Sequence, residues 1–385
     1  MIKIIDPKDC CGCTACASIC AHDAITMEPD ALGFLYPKVD ESKCVDCGLC
    51  EKVCQFNDNY DRSHNLEQPI AFAARHKDID EVMKSRSGAA FVAISDYILE
   101  QGGVVYGAGY KDHFRVAHKR ATTKEERDEF RGSKYVQSDL TGVFRQVKED
   151  LRNGLTVLFS GTPCQTAGLN AYVGKKLREN LFLVDIICHG TPSPYVWRDY
   201  LEYIEKKNRS KAIEVSFRDK RDGWFARHQE MFRLEDGRIV VDIIHRYLFY
   251  QSLSIRESCG ACKFTNYKRP SDITIGDFWG YEKSAQELNT DNKGISLVFA
   301  NSEKGKDLWH RISLSVICKN VAIKDTWQPN LEHPTEINSS FPRFRSDYSK
   351  KGFRYVIRRY GTKGIEYKMR CWENKIKRIY KRVFA

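Results

Sequence analysis

Eight cysteines near the start of the chain have the types and spacing that chemistry can use. The run Cys-x2-Cys-x2-Cys-x3-Cys occurs twice, as Cys10, Cys13, Cys16, Cys20 and as Cys44, Cys47, Cys50, Cys54. It is the ligand pattern for a pair of 4Fe–4S cubes, three cysteines of a run holding one cube and the fourth reaching the other. Thiolates two residues apart let a tight loop wrap a cube and leave backbone N–H groups free to point at its sulfides. The crossed assignment puts Cys10, Cys13, Cys16 and Cys54 on one cube. Cys44, Cys47, Cys50 and Cys20 then hold the second.

Zinc and disulfides do not account for this run. Structural zinc takes two pairs of ligands, without a third cysteine at the next x2 step followed by x3. Disulfides suit short secreted chains, and this one opens Met1-Ile2-Lys3 with no apolar signal segment. The segment therefore reads as a two-cluster ferredoxin-type domain. Its one departure is the proline that usually follows each fourth cysteine, replaced by Ala21 and Gln55.

Seven cysteines remain: Cys11, Cys164, Cys188, Cys259, Cys262, Cys318 and Cys371. Cys164 and Cys188 sit in small-residue turns, and Cys259 and Cys262 form a further x2 pair. Strand-end turns of one sheet converge in space, so these four are candidates for a third 4Fe–4S cluster. Zinc, a redox-active Cys259/Cys262 pair, or plain burial are the alternatives. Cys11 lies in a ligand loop but out of register, and Cys318, within Val316-Ile317-Cys318, reads as core.

The elements that must position these groups follow from periodicity. At 385 residues the chain has room for two or three domains. A polar stretch from Gln55 to Asn65 reads as a linker. Strands are expected at Ile70–Ala74, Val104–Tyr106, Thr156–Phe159, Phe182–Ile187, Asp272–Asp277 and Ser296–Ala300. A helix is expected over Ala89–Glu100, and a hairpin turning at Asp236-Gly237 over Glu230–Val241. Continuous apolar strands alternating with helices predict an α/β domain whose ligands bind at the carboxyl ends of the strands. Three turns suit an anionic cofactor: Gly161-Thr162-Pro163 before a helix, Arg131 to Ser138, and Ser85-Arg86-Ser87-Gly88. No G-x-G-x-x-G or Walker pattern accompanies them.

Charge is unevenly spread. From Arg343 to Ala385 there are 15 Lys+Arg against 3 Asp+Glu, which leaves 47 against 48 in the remainder. The basic surplus is a property of the tail, so it gives no reason to expect the body to bind nucleic acid.

With these pieces in place the chain resembles the coenzyme F-420 hydrogenase/dehydrogenase β-subunit family, in the form with a fused N-terminal two-cluster ferredoxin. The resemblance runs from Cys10 to about Gly305. It is carried by Gly33-Phe34-Leu35-Tyr36-Pro37, Arg131 to Ser138, Phe159 to Gln165, Cys188-His189-Gly190, Phe217 to Lys220, Ser258-Cys259-x2-Cys262 and Asp272 to Gly280. It implies FAD bound by the α/β domain, and a third cluster on Cys164, Cys188, Cys259 and Cys262. The implied FAD contacts are Ser87, Gly88, Gly132, Ser133, Lys134, Tyr135, Gln137, Ser138, Gly161, Thr162 and Pro163. His189 and Lys134 are the candidate proton donors or anion clamps. Where the family has Ser-Ser-Gly-Gly, this chain has Ser87-Gly88-Ala89-Ala90.

The expected architecture is thus an α+β dicluster domain (1–57), a linker (58–69), an α/β flavin domain (70–325, in parts 70–150 and 151–325) and a basic tail (326–385). The expected activity is an iron–sulfur flavoprotein oxidoreductase, acting on a deazaflavin-like or other small acceptor, with a tie to polysaccharide biosynthesis also implied by the family. The alternative is a non-catalytic electron-relay subunit. A ferredoxin or other redox protein is the expected partner, in the cytoplasm of an oxygen-poor host. In the tail, Met369, Trp372, Ile376, Ile379 and Val383 form a helical stripe flanked by cations, suited to docking or to peripheral contact with an anionic membrane.

Overall fold

A computed structural model describes residues 1–56, 64–218, 220, 223–225, 229–364, 367–369, 371, 372 and 376. In the cysteine-rich segment, β1 (Ile25–Pro29) and β2 (Leu35–Val39) pair antiparallel. Short helices Ala15–Ile19 and Leu49–Lys52 each follow a left-handed residue, Thr14 and Gly48.

Among the described residues eleven further strands follow: β3 (Asn65–His76), β4 (Val104–Lys111), β5 (Arg115–Ala121), β6 (Val157–Gly161), β7 (Leu181–Ile186), β8 (Ala212–Ser216), β9 (Glu230–Leu234), β10 (Ile239–Asp242), β11 (Ile273–Asp277), β12 (Ser296–Ser302) and β13 (Val316–Val321). Eight of them make one mixed sheet in the order β13-β3-β12-β11-β7-β6-β4-β5. Its centre, β11-β7-β6-β4, is parallel, and its flanks are antiparallel. Strands from both parts of the expected flavin domain therefore share one sheet. β8, β9 and β10 form a separate antiparallel sheet.

Alternation explains why both sheet faces are covered. Val104, Tyr106, Val157 and Phe159 point to one core, where Phe144 and Leu169 of two helices meet them. Val105, Leu158, Val184 and Val298 point to the other, against Ile94, Ile98 and Trp309. The small sheet makes a third core with Trp197, Tyr200, Phe232 and Phe344.

Two expectations need correction. Cys318 is exposed: β13 is an edge strand bonded only to β3, so Val316 turns inward while Ile317 is half-exposed. The basic tail is not uniformly a tail either. Its helix Phe341–Arg359 buries Phe341, Phe344, Phe353, Val356 and Ile357 in the third core. Beyond it, Met369, Trp372 and Ile376 are exposed, and Ile379 and Val383 lie outside the described residues, as do residues 57–63 of the expected linker. No helix among the described residues is long and apolar enough to cross a membrane.

The dicluster segment packs directly on the larger domain. Ala15 and Val53 join the first core. A Cβ on Gly168 would lie 2.6 Å from Cys13 Sγ, so only glycine lets the helix Pro163–Val173 approach that loop. Arg145 donates to the carbonyls of Ala17, Ser18 and Cys20 and pairs with Asp23.

Gly88 fixes the turn before the helix Ala90–Glu100. Its N–H donates to Ser296 Oγ (3.0 Å), its carbonyl accepts from His76 N–H (2.7 Å), and an added Cβ would lie 2.3 Å from the Ala74 carbonyl oxygen. The obstacle is sheet backbone, so Gly88→Ala should destabilise the fold by about 1–3 kcal/mol, read as a lowered denaturant midpoint. A change below about 0.5 kcal/mol would show that the turn yields freely.

Candidate functional site

Three cavities are walled by cysteine. Cys10, Cys13, Cys16 and Cys54 surround the first, together with Gly12, Gln55 and Phe56. Cys20, Cys44, Cys47 and Cys50 surround the second, with Val45 and Leu49. The backbone already treats these sulfurs as acceptors: Ala24 N–H points to Cys20 Sγ (3.4 Å) and Ile2 N–H to Cys50 Sγ (3.3 Å).

A third cavity brings together Cys164, Cys188, Cys259 and Cys262, with Cys11 at its edge. Cys164 opens the helix after β6, and Cys188 follows β7. The other two belong to a 3-10 turn, Glu257–Ala261, and the residue after it. Thr191 N–H donates to Cys259 Sγ (3.4 Å). Burial pushes the Cys188 thiol far up, with Cys259, Cys164 and Cys262 adding to the rise. Burial likewise raises Cys259, and takes Cys262 to about 12. Three such thiols ionise together only when a cation is there to bind them. Cys164 differs: hydrogen bonding from Cys11, helped by Thr162, pulls it down to about 7.

Cys11 is buried and its sulfur accepts from Gln55 Nε2 at 2.6 Å. The residue standing where proline is usual thus engages the out-of-register cysteine.

The fourth cavity, of about 380 Å³, opens at the carboxyl ends of the parallel strands, a size typical of small-molecule sites. Ser160 and Gly161 of β6, Ile186 of β7 and Gly276 and Asp277 of β11 form its floor. Ser87, Gly132, Ser133, Lys134, Tyr135, Ser138, Gly161 and Thr162 line it, while Gly88, Gln137 and Pro163 do not. Gly88 faces the sheet. Gln137 donates to the Cys11 carbonyl (2.8 Å), and Pro163 walls the third cavity. Ala89 and Ala90 also line the large cavity, and Ala89 takes the left-handed φ of 63° that glycine adopts freely.

Much of its charge comes from arginines that lie within the expected motifs but are not among the expected contact residues. Arg218 bonds Asp277 (2.8 Å) and the Tyr135 hydroxyl (3.2 Å), and Arg86 lies 3.5 Å from the same Asp277. Two cations thus share one carboxylate. Arg131 pairs with Glu81 and Asp128. The Nε atoms of Arg86, Arg131 and Arg218 are buried without a hydrogen-bond partner among the described residues, an arrangement an anion satisfies. Arg86 and Arg218 stand inside the Ser85–Gly88 and Phe217–Lys220 motifs, which was the available signal.

The Gly161-Thr162-Pro163 turn is spent differently. Thr162 and Gln165 form a capping box, Thr162 N–H donating to Gln165 Oε1 (2.9 Å), and Pro163 has no N–H. Lys134 is half-buried and donates to the carbonyls of Glu129, Arg131 and Gly132. Burial pulls its pKa down to about 7. It brings charge to the cavity, with its donors committed to shaping the loop. His118, unread in the sequence, is stacked on Phe159 and held by Ser138 Oγ (2.7 Å) and the Ser160 carbonyl (2.9 Å). Burial lowers it to about 4, so it is a neutral prop.

His189 lines both the third and fourth cavities. Its ring packs edge-on to Phe249 (5.1 Å), burial lowers its pKa, and its Nε2 is a buried atom without a partner among the described residues.

Comparison with known proteins fits this arrangement. Residues 9–57 match a 4Fe–4S dicluster domain. Residues 154–325 match the family described as coenzyme F420 hydrogenase/dehydrogenase, C terminus of the beta subunit. The chain is therefore an iron–sulfur electron-transfer protein with a dicluster domain at residues 9–57, followed at residues 154–325 by a segment that matches this beta-subunit family. Among solved structures it is similar to a chain of the F420-reducing [NiFe] hydrogenase complex from Methanosarcina barkeri, at 19% identity and TM-score 0.48, covering 80% of this chain and 97% of that one. A comparison with curated protein sequences returned no match.

Proposed function

We propose that the protein is an iron–sulfur flavoprotein oxidoreductase. FAD takes the large cavity, a third 4Fe–4S cluster takes the Cys164, Cys188, Cys259, Cys262 site, and electrons pass between them and the dicluster domain. The observation that carries this reading is the shared walls. Cys188, His189, Gly190 and Thr191 border both the third and fourth cavities, and Cys11 and Phe56 border both the first and third. Short steps between adjacent sites are what a relay needs.

A flavin, when bound, supplies the exchange between one-electron and two-electron chemistry. The residues hold and shield it. Arg86, Arg131 and Arg218 would hold its anionic part, and Phe249, Tyr250 and Trp279 would keep water from the apolar wall. His189 Nε2, with no other partner among the described residues, is the atom suited to hand a proton to or from the cavity. The acceptor is a small molecule, deazaflavin-like or otherwise. Electrons enter or leave at the outer cage, where Cys47 is exposed and Val45 and Leu49 are 59% and 43% exposed, an apolar contact for a ferredoxin or other redox protein.

The test is anaerobic purification followed by acid release of flavin and assay with added acceptors. Bound FAD and turnover support the enzyme. A flavin-free chain with loaded clusters supports a relay subunit instead. Lys134→Ala should at least halve flavin retention, by removing a charge and loosening the Glu129–Gly132 loop. The retention assay is run at pH 6 and pH 8. Because the free lysine titrates near 7, wild-type affinity for the anionic cofactor should fall as pH rises through that value, and the Ala variant should lose this slope.

A further inference from the structure

Arg256 is buried at 1% exposure in the seam between the dicluster segment and the larger domain. Its Nε donates to the Cys10 carbonyl (2.7 Å), Nη2 to the Leu35 carbonyl (2.9 Å) and Nη1 to Gln137 Oε1 (3.0 Å). The remaining contact of Nη2 is Cys10 Sγ, at 3.6 Å. Tyr36 lies beneath the guanidinium, its ring centre 4.2 Å from the guanidinium carbon, and Phe34 at 5.5 Å. No carboxylate among the described residues pairs with it, and the neighbouring Glu257 is taken by Arg345.

A guanidinium keeps its charge at any physiological pH. Burying it without a counter-ion is strongly unfavourable, so the fold needs a negative partner at this point. The Cys10 sulfur, ionised as a cluster ligand, is the one at hand. On the other side the backbone of Arg256 braces the next cysteine turn: its N–H donates to the Thr191 carbonyl (3.0 Å) and its carbonyl accepts from Cys259 N–H (3.0 Å).

We propose that Arg256 is the buried counter-charge of the cluster held by Cys10, Cys13, Cys16 and Cys54, and that it sets that cluster's reduction potential. Reduction adds negative charge to the cube. A fixed cation beside a ligating sulfur stabilises the reduced state and raises the potential. The second N-terminal cluster, on Cys20, Cys44, Cys47 and Cys50, has no such buried cation among the described residues and serves as an internal reference. The inference rests on the dicluster domain and not on FAD or a third cluster, so a flavin-free protein leaves it standing.

The experiment is a redox titration followed by electron paramagnetic resonance, with iron analysis, on anaerobically purified full-length Arg256→Gln, Arg256→Met and Arg256→Lys. If all three load, the neutral variants should shift one N-terminal cluster to more negative potential while the other stays, with Lys near wild type. Equal potentials in all four proteins, or a shift in Lys as large as in Met, would overturn the proposal. If the neutral variants fail to hold iron, retention of one extra cluster by Lys supports the counter-charge. Equal loss in Lys assigns Arg256 to packing and overturns it.

Discussion

Replacing Cys259 and Cys262 together by serine is expected to lower the iron content from about twelve to about eight atoms per chain, leaving the dicluster signals intact. Serine keeps the volume but is protonated at neutral pH, so it does not supply the anionic ligands a cube needs. Cys11 borders the same cavity, but its sulfur is engaged by Gln55 Nε2 at 2.6 Å and by hydrogen bonding with Cys13 and Cys164. Cys11→Ser is therefore the control, and should keep about twelve irons. Wild-type protein with about eight irons, unchanged in the double variant, would remove the third cluster. It would leave four half-buried thiols with only a packing role. If FAD occupies the large cavity as proposed, it should stay bound in the double variant, with its reduction through the N-terminal clusters slowed.

How much of this was legible beforehand depends on how local the signal is. The eight N-terminal cysteines are written in spacings of two and three residues, so their grouping needs no knowledge of the fold. The strand-end turns were legible because a continuous apolar run followed by small residues implies a buried parallel strand. Eight expected contacts accordingly line the large cavity. What escaped is non-local. Arg256 meets Cys10 across 246 positions, and no pattern within either segment announces it. Asp277 draws Arg86 and Arg218 together from different motifs. The reading of Cys318 failed because an apolar stretch on an edge strand has the same composition as one in the core. Thr162 and Gln165 were a different lapse. Thr-x-x-Gln is a capping-box signature, and it already implied that the turn's first N–H was committed.

Arg269→Met is expected to destabilise the protein by about 3–5 kcal/mol, a large part of a typical total of about 5–15 kcal/mol. Arg269 and Asp185 are 1% and 0% exposed, with Nη2 2.9 Å from Asp185 Oδ1. The same guanidinium donates to the carbonyls of Ile186 (2.8 Å) and Phe264 (2.6 Å). It thereby ties the segment after Cys262 to the strand that ends just before Cys188. Methionine fills much of the volume but leaves the carboxylate uncompensated in the sheet. Burial already raises the pKa of Asp185 against the pull of Arg269, and losing the arginine raises it further. A carboxyl that binds its proton more tightly folded than unfolded loses stability as pH rises through that window. The loss should therefore be larger at pH 8 than at pH 5. Adding Asp185→Asn should recover much of it, because the charge is then gone. Denaturant midpoints of the anaerobic holoprotein at both pH values measure this, with iron content read in parallel. A deficit under about 1 kcal/mol, or no recovery in the double variant, would show that water or the loop satisfies Asp185 without the arginine. Retention of all iron despite a full-size deficit would separate stability of the sheet from the integrity of the Cys188–Cys262 site.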